Sequence, residues 1–261
     1  MSRYRFALRP KWILSHLFVL TLVVAMILAC RWQIHRLHEK QDRNARVTAR
    51  SGAPVAPVGS LLAAGDPSSK VDGLEYRRVT ATGTYLADQE VIVASRSNGG
   101  APGSWVLTPL DLGHGTAVVV NRGWFSNPGS IEAVPPSLRA PSGPVTVTGL
   151  LRVPETRGSY GPTDRATGTL TVLARADVAR LDQQVPEDLL PAYVQLVTQK
   201  PAVGADDPEP VPAPTLDEGP HFSYAVQWAI FTTIALIGYP LILRKRAREI
   251  EREGPDDEPA A

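Results

Sequence analysis

Residues 221–243 read HFSYAVQWAIFTTIALIGYPLIL, and the twenty-two positions from Phe222 to Leu243 include no Lys, Arg, Asp or Glu. A helix rises about 1.5 Å per residue and the hydrocarbon layer of a bilayer is roughly 30 Å thick, so this run is long enough to cross it. A second run of the same kind, nineteen uncharged residues from Trp12 to Cys30, lies near the other end of the chain. Both runs predict transmembrane helices. The competing reading for either is a core helix of a soluble domain, and for the first it is also a cleaved leader. Ile27-Leu28-Ala29-Cys30 resembles a lipoprotein cleavage box. Leu28, however, is bulky where such boxes carry a small residue, and Arg31 and Trp32 follow at once, so a retained span is the better expectation.

Basic residues set the orientation of such helices. Asp206, Asp207, Glu209, Asp217 and Glu218 precede the second run with no Lys or Arg among them, and Arg244, Lys245, Arg246 and Arg248 follow it. This predicts a cytoplasmic C-terminus, and two spans then place the N-terminus, with Arg3, Arg5, Arg9 and Lys11, on the same side. The basic residues after the first run, from Arg31 to Arg50, leave that run ambiguous by itself.

The net charge of +1 gives no reason to expect nucleic acid as a partner, and a single cysteine excludes an internal disulfide. The expected organisation is a cytoplasmic stretch at 1–11, a span at 12–30 whose helix continues to about 45, an extracytoplasmic β-rich domain at 46–205, a Pro-rich acidic linker at 206–220, a span at 221–243 and a cytoplasmic tail at 244–261. The fold class is thus membrane α+β. Two helices flank a mainly antiparallel β domain, barrel-like or sandwich-like, because closure solves the problem of exposed strand edges. Short runs rich in β-branched and aromatic residues predict strands at Tyr76–Leu86, Glu90–Ser97, Trp105–Leu110, Thr116–Trp124, Val145–Val153, Leu170–Ala174 and Tyr193–Lys200. Asn98-Gly99-Gly100 and Gly113-His114-Gly115 predict hairpin turns. Short helices are expected at Gly59–Ala64 and Arg175–Leu181, and the segment from Pro201 to Gly219 is expected to be extended and mobile.

Enzyme signatures are missing: there is no Gly-x-Ser-x-Gly, no phosphate-binding Gly-rich loop and no Cys-x-x-Cys. His35 and His38 stand at i, i+3, a spacing that can share a metal, but in this basic stretch a solvated helix face explains them better. His114 between two glycines is most simply a turn residue. Met26 and Cys30, a thioether and a thiol at i, i+4, are a poor copper site. His221 differs by position, since it follows Gly219-Pro220 and opens the second span at the positive end of its helix dipole. Tyr224 and Trp228 follow at i+3 and i+7 and predict an aromatic wall beside it, suited to a flat, apolar, iron-bearing ligand. The plainer reading is an interfacial aromatic belt that binds nothing.

Four elements in order resemble the surfeit locus protein 1 family. After the first run stands Trp32-Gln33-x-x-Arg36-x-x-x-Lys40, where the family has Trp-Gln-x-x-Arg-x-x-x-Lys. Gly83-Thr84-Tyr85 matches its Gly-x-Tyr, and Asn121-Arg122-Gly123-Trp124 its Asn-Arg-Gly-Trp. His221, Tyr224, Gln227 and Trp228 match its His-x-x-Tyr-x-x-Gln-Trp. Cys30-Arg31 stands where the family usually has a small residue. Thr156 to Gly168 and Pro201 to Gly219 have no counterpart in the pattern.

The resemblance implies a non-enzymatic assembly factor for haem-copper cytochrome c oxidase that binds haem a, with His221 as axial ligand of the iron. It implies the oxidase catalytic subunit as partner, haem A synthase as a further one, and membrane lipid around the spans. Tyr224, Trp228 and Arg122 are the other expected cofactor contacts, Arg122 through a propionate, with a partner's acidic group as its alternative. Gly123 and Trp124 have an architectural reading, a tight turn and a core filler. The alternative function is a cofactor-free membrane scaffold for nascent oxidase subunits. The Ala-, Arg- and Pro-rich style and the lack of a separate amphipathic presequence predict a bacterial plasma membrane.

Overall fold

The computed structural model describes residues 4–127, 129, 131–202, 204 and 207–253. In chain order the elements begin with α1 (Pro10–Ser51), β1 (Ala56–Pro57), α2 (Val58–Leu61), α3 (Ser68–Leu74), β2 (Arg78–Tyr85), β3 (Val91–Asn98) and β4 (Ala101–Asp111). They continue with β5 (Thr116–Ser126), β6 (Pro144–Arg152), β7 (Val172–Leu173), α4 (Val178–Asp182), β8 (Asp188–Lys200) and α5 (His221–Glu253). Two compact units result, one from Met1–Ala45 with Leu216–Ala261 and one from Arg46–Thr215.

The first unit is a pair of antiparallel helices. Both α1 and α5 are long and apolar enough to cross a membrane. Pro10 opens α1 at the position where its missing N–H costs nothing. No Gly or Pro follows until Gly52, whose N–H closes the last turn onto the Thr48 carbonyl. The helix therefore runs past residue 45, its expected end.

Val23, Met26, Cys30, Gln33 and Leu37 are among the less exposed positions of α1 and follow one another in steps of three and four. On α5 the same stepping selects His221, Ala225, Trp228, Thr232, Ala235 and Tyr239, while the residues between them, apart from half-buried Gly238, are exposed. A seven-residue repeat on each helix turns one row of side chains toward the other helix. Inside α5 the Thr232 and Thr233 hydroxyls bond back to the Trp228 and Ala229 carbonyls at 2.8 Å, which satisfies polar groups in a lipid-facing segment.

The second unit is one eight-stranded sheet in the order β1-β2-β6-β8-β5-β4-β3-β7. Thr84 and Tyr85 also pair with Asp111 and Leu110, so β2, β6, β8, β5 and β4 form a closed hydrogen-bonded circuit. A Cβ at Gly83 would collide with the Asp111 carbonyl, which is why the chain carries glycine where β2 meets β4. The sheet is mixed but mainly antiparallel, as expected: β2–β4, β2–β6, β3–β4, β4–β5 and β6–β8 are antiparallel, and β1–β2, β3–β7 and β5–β8 are parallel.

The central strand β5 shows why the unit is stable. Val118 and Val120 enter one core cluster with Val79, Leu110, Val147, Leu151 and Val194. Ala117 and Val119 enter another with Val91, Leu107, Leu173, Leu181 and Tyr193. Alternate residues of one strand thus feed two cores, the pattern of a strand covered on both faces. Each fully buried valine contributes about 1.5–3 kcal/mol of burial. Burial also pushes the Tyr193 phenol up to about 12.

Part of the Pro-rich segment expected to be a linker is bonded to the β unit. Glu209 and Trp124 exchange backbone hydrogen bonds of 2.6 and 2.7 Å, and Gln195 Nε2 donates to the Val211 and Pro212 carbonyls. It lies along the end of β5 as an added strap.

Candidate functional site

In the helix pair, the His221 ring meets α1 through Nδ1, which lies 2.8 Å from Gln33 Oε1. Gln33 is 9% exposed and faces α5, whereas its neighbour Trp32 is 58% exposed and turns away. The helices come close one turn further in, where Cys30 Sγ donates to the Ala225 carbonyl at 3.4 Å. Just before α5, Gln41 Nε2 reaches Glu218 Oε2 at 3.2 Å and Asn44 Nδ2 the Leu216 carbonyl at 2.7 Å. These bonds hold the start of α5 against α1 within this unit.

The other edge of the imidazole is open. Among the described residues His221 Nε2 has no hydrogen-bond partner, and a Cβ at position 219 would stand 3.5 Å from both Nε2 and Cδ2. Position 219 has a φ of +70°, which favours glycine, and the missing side chain leaves that edge of the ring uncovered.

The expected aromatic wall is only partly assembled. Trp228 shares the α1-facing seam with His221 and meets Phe231 edge-on, centroids 6.1 Å apart and planes at 86°. Tyr224 is 47% exposed and Gln227 is exposed, so both lie off the seam. Arg36 bonds Glu39 at 2.7 Å, and that bond holds the Glu39 carboxyl below its usual value. Lys40 is half-buried.

A second polar group in this unit was not expected from the sequence. The Tyr239 hydroxyl lies 3.0 Å from Ser15 Oγ and 2.6 Å from His16 Nδ1, while His16 Nε2 lies 3.1 Å from the Ala7 carbonyl. The His16 and Tyr239 rings meet edge-on at 5.6 Å. The available signal was Ser15, His16 and Tyr239, polar residues inside the two uncharged runs.

In the β unit, Asn121-Arg122-Gly123-Trp124 is a structural knot. Arg122 is 2% exposed. Nη1 donates to Glu90 Oε2 at 2.9 Å and to the Leu138 carbonyl at 2.7 Å, and Nη2 to Asp207 Oδ1 at 2.8 Å and to the Arg139 carbonyl at 3.3 Å. All four terminal N–H groups are thus used internally, and the guanidinium also stands 5.7 Å from the centre of the Tyr85 ring. The expectation that Arg122 reaches a propionate is corrected: the residue is committed to folding its own unit. Burial raises the Tyr85 phenol above its ordinary range, and its hydroxyl donates to Gln199 Oε1 at 2.8 Å.

Gly123 has φ +146°, and a Cβ there would strike the Glu209 and Pro208 carbonyls, so this glycine admits the strap. Asn121 Oδ1 accepts from the Gly123 N–H at 3.1 Å, and Trp124 Nε1 donates to the Arg96 carbonyl at 2.9 Å. The motif residues thus fall into two sets. Gln33 and His221 meet in the helix pair, and Gly83, Tyr85 and Asn121–Trp124 organise the β unit.

Two helices able to cross a membrane, bracketing a unit built on a mixed sheet, define the class of protein. The model of the SURF1 family matches residues 20–233. An uncharacterized SURF1-like protein of Mycobacterium tuberculosis is 31% identical over 267 residues, covering 99% of this chain and 94% of that relative. A SURF1-like protein of Dictyostelium discoideum is 32% identical over 108 residues, 40% of each chain. Another from Monosiga brevicollis is 31% identical over 147 residues, 50% of this chain and 52% of its own. The chain belongs to the SURF1 family.

Proposed function

We propose that this chain is an assembly factor for haem-copper cytochrome c oxidase and that it binds haem a through His221 on the way to the catalytic subunit. The observation that carries this reading is the His221 ring, engaged at Nδ1 and free at Nε2 beside Gly219. Among the described residues no three His, Cys, Asp or Glu converge as a metal-holding group. A bare ion would find one ligand here, whereas a porphyrin brings four nitrogens of its own, so the donor set fits haem. Bound haem would supply an iron that an imidazole nitrogen can hold. His221 provides that nitrogen, and Trp228 supplies an apolar flank on the same seam. A single histidine is a modest hold, as suits a protein that must release what it receives.

In this reading both termini are cytoplasmic, the β unit is extracytoplasmic and the membrane is a bacterial plasma membrane. The basic run Arg244–Arg248 after the apolar part of α5 supports that orientation. A cofactor-free scaffold is the second reading. Trp32, a motif residue that leaves the helix pair at 58% exposure, favours it because the ring is available to a partner.

The test is complementation of cells lacking this chain, read as the haem a content of their oxidase. The carrier reading expects wild type to restore it and His221→Ala to fail. Full restoration by His221→Ala, together with failure of Trp32→Ala, would instead establish the scaffold.

A further inference from the structure

We infer that Gln33 is a positioning residue that holds the proton of His221 on Nδ1 and so presents the Nε2 lone pair, past Gly219, as the nitrogen that takes iron. The inference rests on the haem reading of His221 proposed above. Its argument starts from hydrogen-bond chemistry. A neutral imidazole has one donor and one acceptor nitrogen, and an amide oxygen only accepts. With Gln33 Oε1 as the amide atom that faces His221 Nδ1 at 2.8 Å, the contact is a hydrogen bond only with the proton on Nδ1. The lone pair is then left on Nε2.

This is not the arrangement that a free histidine prefers in water, where the proton favours Nε2. The unusual tautomer is maintained because Gln33 is 9% exposed and so shielded from competing water. A ring nitrogen held by an acceptor is the usual partner of a metal-bound imidazole. It fixes the ring's rotation and makes the opposite nitrogen a better donor.

Position 219 completes the device. A Cβ there would lie 3.5 Å from Nε2 and Cδ2, in van der Waals contact with that edge of the ring, and the φ of +70° also favours glycine at this turn. One helix thus selects the nitrogen and the turn before the other keeps it accessible. The pairing also explains why Gln33 turns inward within a motif whose Trp32 and Arg36 turn outward.

The test uses the full chain in detergent, with its histidines labelled with nitrogen-15 and the His221 signals identified by their loss in His221→Ala. Nitrogen shifts of the haem-free protein report the tautomer, and titration with hemin reports affinity. We expect wild type to carry the proton on Nδ1. Gln33→Leu should return it to Nε2 and weaken hemin binding roughly 10- to 100-fold, the usual effect of removing a partner of a ligating histidine. Gln33→Glu, which keeps an acceptor, should retain both the tautomer and the binding. Gly219→Asn, whose side chain tolerates positive φ, should keep the tautomer and weaken binding.

A wild-type proton on Nε2, or hemin bound equally well by Gln33→Leu, would overturn the inference. Failure of wild type to bind hemin with the Nδ1 proton in place would defeat the haem reading alone and leave the Gln33 lock standing.

Discussion

The Nδ1 atom of His221 and the Oε1 atom of Gln33 stand 2.8 Å apart across 188 positions of sequence, joining the motif that follows the first apolar run to the one that opens the second. The pairing requires α1 and α5 to run antiparallel in a fixed register. At the far end of the same helices, Tyr239 meets Ser15 and His16. Residues 16 and 33 are separated by about 25 Å of helix, so the seam is pinned by polar contacts near each end.

Replacing Tyr239 with Phe keeps the ring and removes the hydroxyl. Hydrogen bonds between membrane helices are worth about 0.6 kcal/mol on average and up to about 1.7. We expect Tyr239→Phe to weaken the association of α1 and α5 by that amount, measured as reversible unfolding in micelles. A variant as stable as wild type would assign the register to apolar packing alone.

Arg122→Met is expected to destabilise the β unit by about 3–5 kcal/mol, because it leaves the carboxylates of Glu90 and Asp207 without their cation. Thermal unfolding of the haem-free protein is the measurement. Loss of haem affinity at unchanged stability would restore the propionate role that the interior position argues against.

Gly123→Ala adds a methyl group where the strap crosses β5. The expected result is faster protease cleavage between Pro201 and Gly219, with a stability loss of about 1–3 kcal/mol from the strained backbone. Unchanged cleavage would show that the Trp124–Glu209 bridge does not hold the strap in solution.

Two buried phenols give an alkaline prediction. The Tyr85 and Tyr193 values are raised in the folded state, mainly by burial, the latter to about 12. A raised value means that their contribution is complete below about pH 10, the unfolded value, and is lost as pH climbs through the folded values. Stability should fall above about pH 10, and absorbance titration should show these two phenolates forming late. Tyr193→Phe should flatten the fall, and ionisation of every tyrosine near pH 10 would contradict the account.

Much of this was legible in the chain. Uncharged runs of nineteen and twenty-two residues fixed the two long helices, since few other structures use such runs. Alternation and Gly-rich turns located β3, β4 and β5 with their hairpins. The start of β8 at Asp188 was hidden by Pro191. That proline falls where the pairing with β5 slips between Ala117 and Val119, a place where a missing N–H is tolerated. The strap at Glu209 was unreadable because its partner is the backbone of Trp124, and backbone pairing leaves little trace in side-chain identity. The inward turn of Gln33 was likewise a matter of helix register, which only the packed pair defines.

The central claim, that His221 holds haem, is met most directly by purifying the full chain from cells that make haem A and recording its visible spectrum beside that of His221→Ala. The account predicts haem bands in the wild-type protein and their loss in the variant, with the Tyr193 and Arg122 regions still folded. Bands of equal intensity in both proteins, or none in either while oxidase assembly proceeds, would contradict it.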